Sequence, residues 1–103
     1  MSTNRDPQNE SQQAFLRVVA SNGHTHLLPY GHLIHVEFTE NNDDGIEHRI
    51  AMRFAVHSVL IDGSGLENIL KKIQNMTLAE IKSTTSGTQI ITNIEVSDER
   101  AEF

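Results

Sequence analysis

The chain has 103 residues, of which 14 are acidic and 8 are basic, so its formal net charge at pH 7 is −6. This length fits one domain, and the acidic balance, with four phenylalanines, one tyrosine and no tryptophan, disfavours binding to nucleic acid, which needs basic and stacking groups. The absence of cysteine predicts a reducing compartment, the cytoplasm, and the short apolar runs predict that no segment crosses a membrane.

The two ends of the chain are polar and lack apolar periodicity. Residues 1–12 are therefore predicted to form a disordered arm, and residues 98–103 an acidic tail. Between these ends we expect a single α+β domain over residues 13–97.

The first element of the domain is predicted to be a strand. Residues 14–20 are rich in β-forming side chains and end at the turn signal Ser21-Asn22-Gly23. A helix that begins at Ser11 is the alternative, because the same residues could also form a helix. A short extended segment, residues 24–28, follows and ends at Pro29-Tyr30-Gly31, which is typical of a turn.

The clearest pattern in the chain is a pair of alternating segments on either side of a strong turn. Residues 32–40 and residues 46–54 alternate apolar and polar side chains, with the turn at residues 41–45. The apolar faces comprise Ile34, Val36 and Phe38 in the first segment and Ile46, His48, Ile50, Met52 and Phe54 in the second. These segments predict a hairpin. Matching apolar with apolar and acid with base gives the pairs Glu40–Ile46, Val36–Ile50, Ile34–Met52 and Glu37–Arg49.

Residues 55–61 are predicted to continue as a strand, and residues 65–75 to form the helix of the domain. Ser64 and Glu67 have the spacing of a capping box, in which the hydroxyl serves an unpaired backbone N–H and the carboxylate reaches back to the cap. Apolar residues follow at helical spacing at Leu66, Ile69, Leu70, Ile73 and Met76. This stripe is expected to be the helix's contribution to the core.

Two segments after the helix, residues 77–82 and residues 88–97, are predicted to be strands. The apolar face of the second is expected to contain Ile90, Thr92, Ile94 and Val96. This order of elements predicts an α+β domain with a mainly antiparallel sheet of five to seven strands and one helix packed on one face. Because one helix covers one sheet face, the other face is expected to be solvated, curled or covered by a partner.

Histidine is unusually frequent, with six in the chain, and two of these have the spacing His-x-His. Two such residues lie on the same side of an extended segment, and a hairpin at residues 29–31 would bring a third near them. Neutral imidazole binds zinc and other divalent transition metals, and such a site needs three or four ligands. A metal site is therefore predicted at His24, His26 and His32, with Glu37 or Glu40 as a further ligand. The alternative is that these are surface histidines without a ligand role.

The sequence favours a function without catalysis. No cysteine is present as a nucleophile, and Ser64 fits a capping role. We therefore expect a protein-interaction or assembly domain that needs no cofactor and binds a protein, either a second copy, as a homodimer, or another chain. The alternative is a histidine-based metal-binding protein or a small metal-dependent enzyme. A small ligand held inside a curled sheet is a third hypothesis.

Overall fold

The computed structural model describes residues 11–98, which form seven strands and one α-helix in two sheets. The elements are β1 (Phe15–Val19), β2 (Thr25–Pro29), a 3₁₀ turn (Tyr30–His32), β3 (Leu33–Glu40), β4 (His48–Phe54), β5 (His57–Ser64), α1 (Glu67–Gln74), β6 (Glu80–Ile81) and β7 (Ile90–Asp98). The predicted α+β class and strand number are confirmed, although the strands divide between two sheets instead of one. Within residues 11–98, no helix has the length and apolar character needed to cross a membrane.

The predicted terminal segments fall mostly outside the described residues. Of the predicted arm, Ser11 and Gln12 are described, and residues 1–10 are not. Of the predicted acidic tail, Asp98 is the last residue of β7, and residues 99–103 lie outside the described residues.

The small sheet has the strand order β2-β1-β6. β1 and β2 form an antiparallel hairpin around the predicted turn, where Gly23 has a φ of 93° and its N–H donates to the carbonyl of Ala20. The strand prediction for residues 14–20 is thus confirmed over the helix alternative. β6 adds to the other side of β1 in parallel, and is shorter than the predicted strand at residues 77–82.

The large sheet has the strand order β3-β4-β5-β7, and all its neighbours are antiparallel. Its inward face shares one core with the inward face of the small sheet and with α1. The buried core residues are Leu16, Val18, Leu28, Tyr30, Ile50, Met52, Phe54, Val59, Ile61, Leu66, Ile69, Ile73, Ile81, Ile91 and Ile94. Each large aliphatic or aromatic side chain buried in this way contributes about 1.5–3 kcal/mol.

β3 and β4 form the predicted hairpin, but its register differs from the predicted one by two residues. Glu40 lies opposite His48 instead of Ile46, and Val36 and Glu37 are displaced by the same amount, whereas Ile34 has no residue opposite it. Because side chains alternate between faces, an even displacement leaves the same β4 residues directed towards the core. The connection accordingly spans residues 41–47 instead of 41–45.

A different ion pair replaces the predicted pairing of Glu37 with Arg49. Nε of Arg49 donates to Oδ1 of Asp62 on β5, and Nη2 donates to Oδ2 of Asp44 in the connection, each at 2.7 Å. The hydrogen bond from Arg49 holds the pKa of the Asp44 carboxyl below its usual range, and the two aspartates raise the pKa of the guanidinium. Two carboxylates therefore hold Arg49, and Glu37 lies opposite Ala51 instead of Arg49.

Two bulges interrupt the predicted alternation of side chains. In β3 the register shifts between Leu33 and His35, so Leu33 is half-buried and Ile34, which was expected on the apolar face, is 66% exposed. In β7 the corresponding shift leaves Thr92 with no residue opposite it on β5, and Ile91 is buried where Thr92 was expected. An extra residue reverses the alternation on one side of it, so both predicted faces are wrong at these positions.

The helix is confirmed, but its predicted cap is wrong. α1 begins at Glu67 and ends at Gln74, within the predicted range of 65–75, and no side chain caps its first turn. Ser64 is the last residue of β5 and pairs with Ile90, so strand pairing overrides the local capping box.

Candidate functional site

An apolar groove lies between β3 and α1, and we call it the β3–α1 groove. Its volume is about 490 Å³. One wall is formed by β3 and the turn that precedes it, and the other by the second half of α1 and the residues that follow it. The lining residues are Tyr30, Leu33, Val36, Phe38, Leu70, Ile73, Gln74 and Met76.

The β3 wall is apolar because the core is incompletely covered at this strand. The bulge at Ile34 turns Leu33 inward, and Val36 and Phe38 follow on the same side. These three side chains are half-buried, whereas the inward side chains of β4 are fully buried. The core of the large sheet therefore ends at β3 with apolar surface in contact with solvent.

The helix wall arises because the apolar stripe of α1 is wider than the surface that the sheets cover. Ile69 and Ile73 are buried in the core, while Leu70 is half-buried and Met76 is 37% exposed. Leu70 and Met76 line the groove. The stripe thus serves the core on one side and the groove on the other.

Met76 has a backbone conformation that usually favours glycine. Its φ is 60°, and its N–H donates to the carbonyl of Ile73 while the N–H of Thr77 donates to the carbonyl of Lys72, at 3.0 and 2.8 Å. This is the Schellman arrangement that ends many helices, with methionine where glycine is common. A side chain in this conformation costs about 1–2 kcal/mol. The chain places an apolar side chain at the groove despite that cost, and strained residues of this kind cluster at binding sites.

The two outer edges of the large sheet differ. Ile94 of β7 exchanges hydrogen bonds with Ser21, and Ile91 exchanges backbone hydrogen bonds with Thr84, all between 2.9 and 3.1 Å. Within residues 11–98, no strand pairs with the outer edge of β3, which also forms the rim of the groove. An unpaired edge is a template for a further strand.

His48 lies beside the groove, where its ring centroid is 5.0 Å from that of Phe38. The ring is buried, and Nδ1 accepts a hydrogen bond of 3.0 Å from the backbone N–H of Leu66. This bond anchors the residue immediately before α1, a role that the sequence pattern had given to Ser64. Nε2 faces three exposed glutamates, with oxygens of Glu40, Glu47 and Glu67 at 3.8, 3.9 and 3.7 Å.

Glu40, His48 and Glu67 are also a group whose candidate ligand atoms all lie within 4.8 Å of one another. In a neutral imidazole one nitrogen carries the proton and the other carries the lone pair. Because Nδ1 accepts the bond from Leu66, the proton is on Nε2, which then has no lone pair for a metal. Metal-binding histidines usually donate their second N–H to an acceptor, which is the reverse of this arrangement. The group therefore does not fit a metal while the Leu66 bond is present.

The three histidines predicted to bind a metal belong to three different segments. His24 is exposed in the β1–β2 turn, and His32 is exposed at the end of the 3₁₀ turn. His26 is half-buried on β2, with its ring centroid 6.2 Å from that of His57. The hairpin expected at residues 29–31 is wrong, because β2 pairs with β1 and β3 belongs to the other sheet. The metal site at these histidines stays a prediction, and its expected hairpin geometry is not present.

The groove was missed because the sequence pattern assigned the whole helix stripe to the core. A signal was present in the sequence, since a stripe that continues through Leu70 and Met76 is wider than one sheet-facing side requires. The open edge left no such signal, because strand order depends on pairing between distant segments.

No protein-family model, curated protein or solved structure matches this chain.

Proposed function

We propose that this chain is a non-catalytic protein-interaction domain that binds an extended protein segment along the outer edge of β3. The observation that carries the proposal is a strand of eight residues, unpaired on one side within residues 11–98, beside an apolar groove of about 490 Å³. An added strand would give the free backbone groups of β3 hydrogen-bonding partners and direct alternate side chains into the groove.

The polar groups of the groove favour a strand over a small molecule. Small-molecule sites usually combine apolar walls with a few polar groups that fix the ligand's orientation. Here the Tyr30 hydroxyl donates to the carbonyl of Leu78 at 2.7 Å, so its proton is already engaged, and Gln74 is the other side-chain polar group in the lining. The backbone edge of β3 supplies the polar contacts that a strand, but not an apolar small molecule, can use.

The surroundings of the groove define the chemistry of the bound segment. Side chains that enter the groove meet apolar walls, while the alternate side chains lie beside exposed His35 and Glu37. At the end of β3 the exposed carboxylates of Glu40, Glu47 and Glu67 gather around His48. We therefore expect alternating apolar residues in the segment and a basic residue at the end beside Glu40.

We propose the cytoplasm as the location of this interaction. A chain without cysteine needs no oxidising compartment, which supports this part of the proposal.

The proposal is tested by selecting displayed peptides that bind the full chain. The peptides have about ten residues, a length that covers a typical strand. We expect the selected peptides to alternate apolar and polar residues and to lose binding to Leu70→Lys, which puts a charge into the groove. The matched control is Leu27→Lys, because Leu27 is 60% exposed on β2 and does not line the groove. Peptides that bind Leu70→Lys as well as they bind the unchanged chain would contradict the proposal.

Met76→Gly separates binding from folding. Glycine relieves the strained backbone at φ 60°, so the free energy of unfolding is expected to rise by about 1 kcal/mol. The same change removes an apolar side chain from the groove, so affinity for the selected peptides is expected to fall. A rise in stability with unchanged affinity would remove Met76 from the binding surface, and failure to select any peptide would remove the proposed function.

A further inference from the structure

We propose that the extended segment is β3 of a second copy of this chain, paired antiparallel so that Val36 of one copy lies opposite the partner's Val36. This inference rests on the proposed function, because it names the occupant of the same edge and groove. Two copies joined in this way would form one continuous sheet of eight strands, with both helices on the same side.

Charge complementarity selects this register. Residues directly opposite one another in an antiparallel pair share a face of the sheet. When the pair is centred on Val36, His35 lies opposite the partner's Glu37, and by symmetry Glu37 lies opposite the partner's His35. Both residues are exposed and lie on the face away from α1. An imidazole N–H donates to a carboxylate in either protonation state of the ring. Because the dimer is symmetric, each interface contains two such acid–base pairs.

Other symmetric registers lack this match. Centring on Glu37 places two carboxylates directly opposite one another, which is destabilising. Centring on His35 places His35 opposite the partner's His35, so Glu37 has no basic residue opposite it. Centring on Phe38 places Val36 opposite the partner's Glu40. Each alternative leaves Glu37 without a basic residue opposite it.

The apolar side of the interface is complementary in the same register. Val36 lies opposite the partner's Val36 on the groove side, whereas Ile34, which the bulge leaves 66% exposed, does not line the groove. Val36 and Phe38 are half-buried in the separate chain, and the partner strand would cover them. The grooves of the two copies then adjoin across the symmetry axis, which accounts for apolar surface at the rim of an otherwise polar edge.

A charge exchange tests both the pairing and its register. Sedimentation equilibrium of the full chain over a concentration series measures the dissociation constant of the dimer. His35→Glu sets a new carboxylate opposite the partner's Glu37 twice per dimer, and is expected to weaken association about tenfold. Adding Glu37→Lys restores an acid–base pair, so the double variant is expected to return to the affinity of the unchanged chain. Both positions are exposed, and circular dichroism checks that the fold is retained.

Glu95→Lys is the matched control, because Glu95 is exposed on β7 at the other edge of the same face and is expected to leave association unchanged. A chain that stays monomeric, or a double variant that associates no better than His35→Glu, overturns the dimer in this register. If the chain is monomeric but displayed peptides still bind in a manner sensitive to Leu70→Lys, this inference fails and the proposed function stands. If neither association nor peptide binding is observed, both fail.

Discussion

Tyr30 provides a direct spectroscopic view of the groove, because it is the single tyrosine of a chain without tryptophan. Its side chain is 5% exposed, and its hydroxyl donates to the carbonyl of Leu78 at 2.7 Å. Burial disfavours the phenolate and raises the pKa of Tyr30 from 10.0 to about 12. The ionisation of one residue therefore reports on the folded state of the groove wall.

We expect the tyrosinate absorbance of the folded chain to appear with a midpoint near pH 12, and that of the chain in urea near pH 10. The raised pKa contributes stability that is fully present below pH 10 and is lost as the pH rises through about 12, because the unfolded chain releases its proton first. The loss amounts to roughly 2–3 kcal/mol. Tyr30→Phe should abolish this pH dependence, and a folded chain that titrates near pH 10 would contradict the assignment.

His48 illustrates what the sequence can predict about a single residue. Its place on the apolar face follows from alternation along β4, and it is buried as expected. Its hydrogen bond to the N–H of Leu66 joins residues 18 positions apart and depends on how α1 sits against the sheet. The spacing of Ser64 and Glu67 predicted a different cap for the helix, because a local spacing carries no information about the pairing of Ser64 with Ile90.

At the scale of elements, the end of β5 and the residue after it depend on a close approach to the start of β7 and the residues just before it. Gly65 has a φ of 65°, and a Cβ there would meet the carbonyl oxygen of Thr88. A Cβ on Gly63 would likewise meet the carbonyl oxygen of Ile90. Two neighbouring backbones thus occupy the space that side chains would need.

Gly65→Ala is therefore expected to lower the free energy of unfolding by at least about 2 kcal/mol, from backbone strain and steric overlap together. Gly31→Ala is the matched control, because a Cβ on Gly31 would meet no heavy atom within 4 Å and its φ is not in the left-handed range. Urea denaturation of both variants measures the difference. Equal stability of the two variants would show that the carbonyl of Thr88 leaves room for a side chain at Gly65.

The elements themselves were largely predictable, and their arrangement was not. β4 and α1 follow from local periodicity, which survives in any register, and β1 follows from its β-forming residues and the turn signal after it. The bulges at Ile34 and Thr92 and the two-residue displacement of the hairpin result from contacts with other strands, such as those of Arg49 with Asp62. The groove depends on these non-local features, so the wide apolar stripe of the helix could not reveal it alone.

At the scale of the whole molecule, the two sheets are expected to unfold together, because they share one core. Leu16 of β1 is fully buried, and Leu16→Ala should cost about 2–5 kcal/mol. We expect thermal transitions followed by Tyr30 fluorescence and by far-ultraviolet circular dichroism to shift together in this variant. Leu27→Ala, at an exposed site on the neighbouring strand, should change stability by no more than about 0.5 kcal/mol. Separate transitions for the two signals would indicate two independent units.

The outer side of β7 is paired at Ile91 and Ile94, which limits how large an assembly the large sheet can build. A sheet that is free on both sides can add copies without end, as filaments do, whereas Ser21 and Thr84 already occupy hydrogen-bonding groups of β7. Growth through the large sheet would then stop once the β3 sides of two chains have met. If β3 pairs with a second copy as proposed, loss of those two contacts would leave β7 open to further copies.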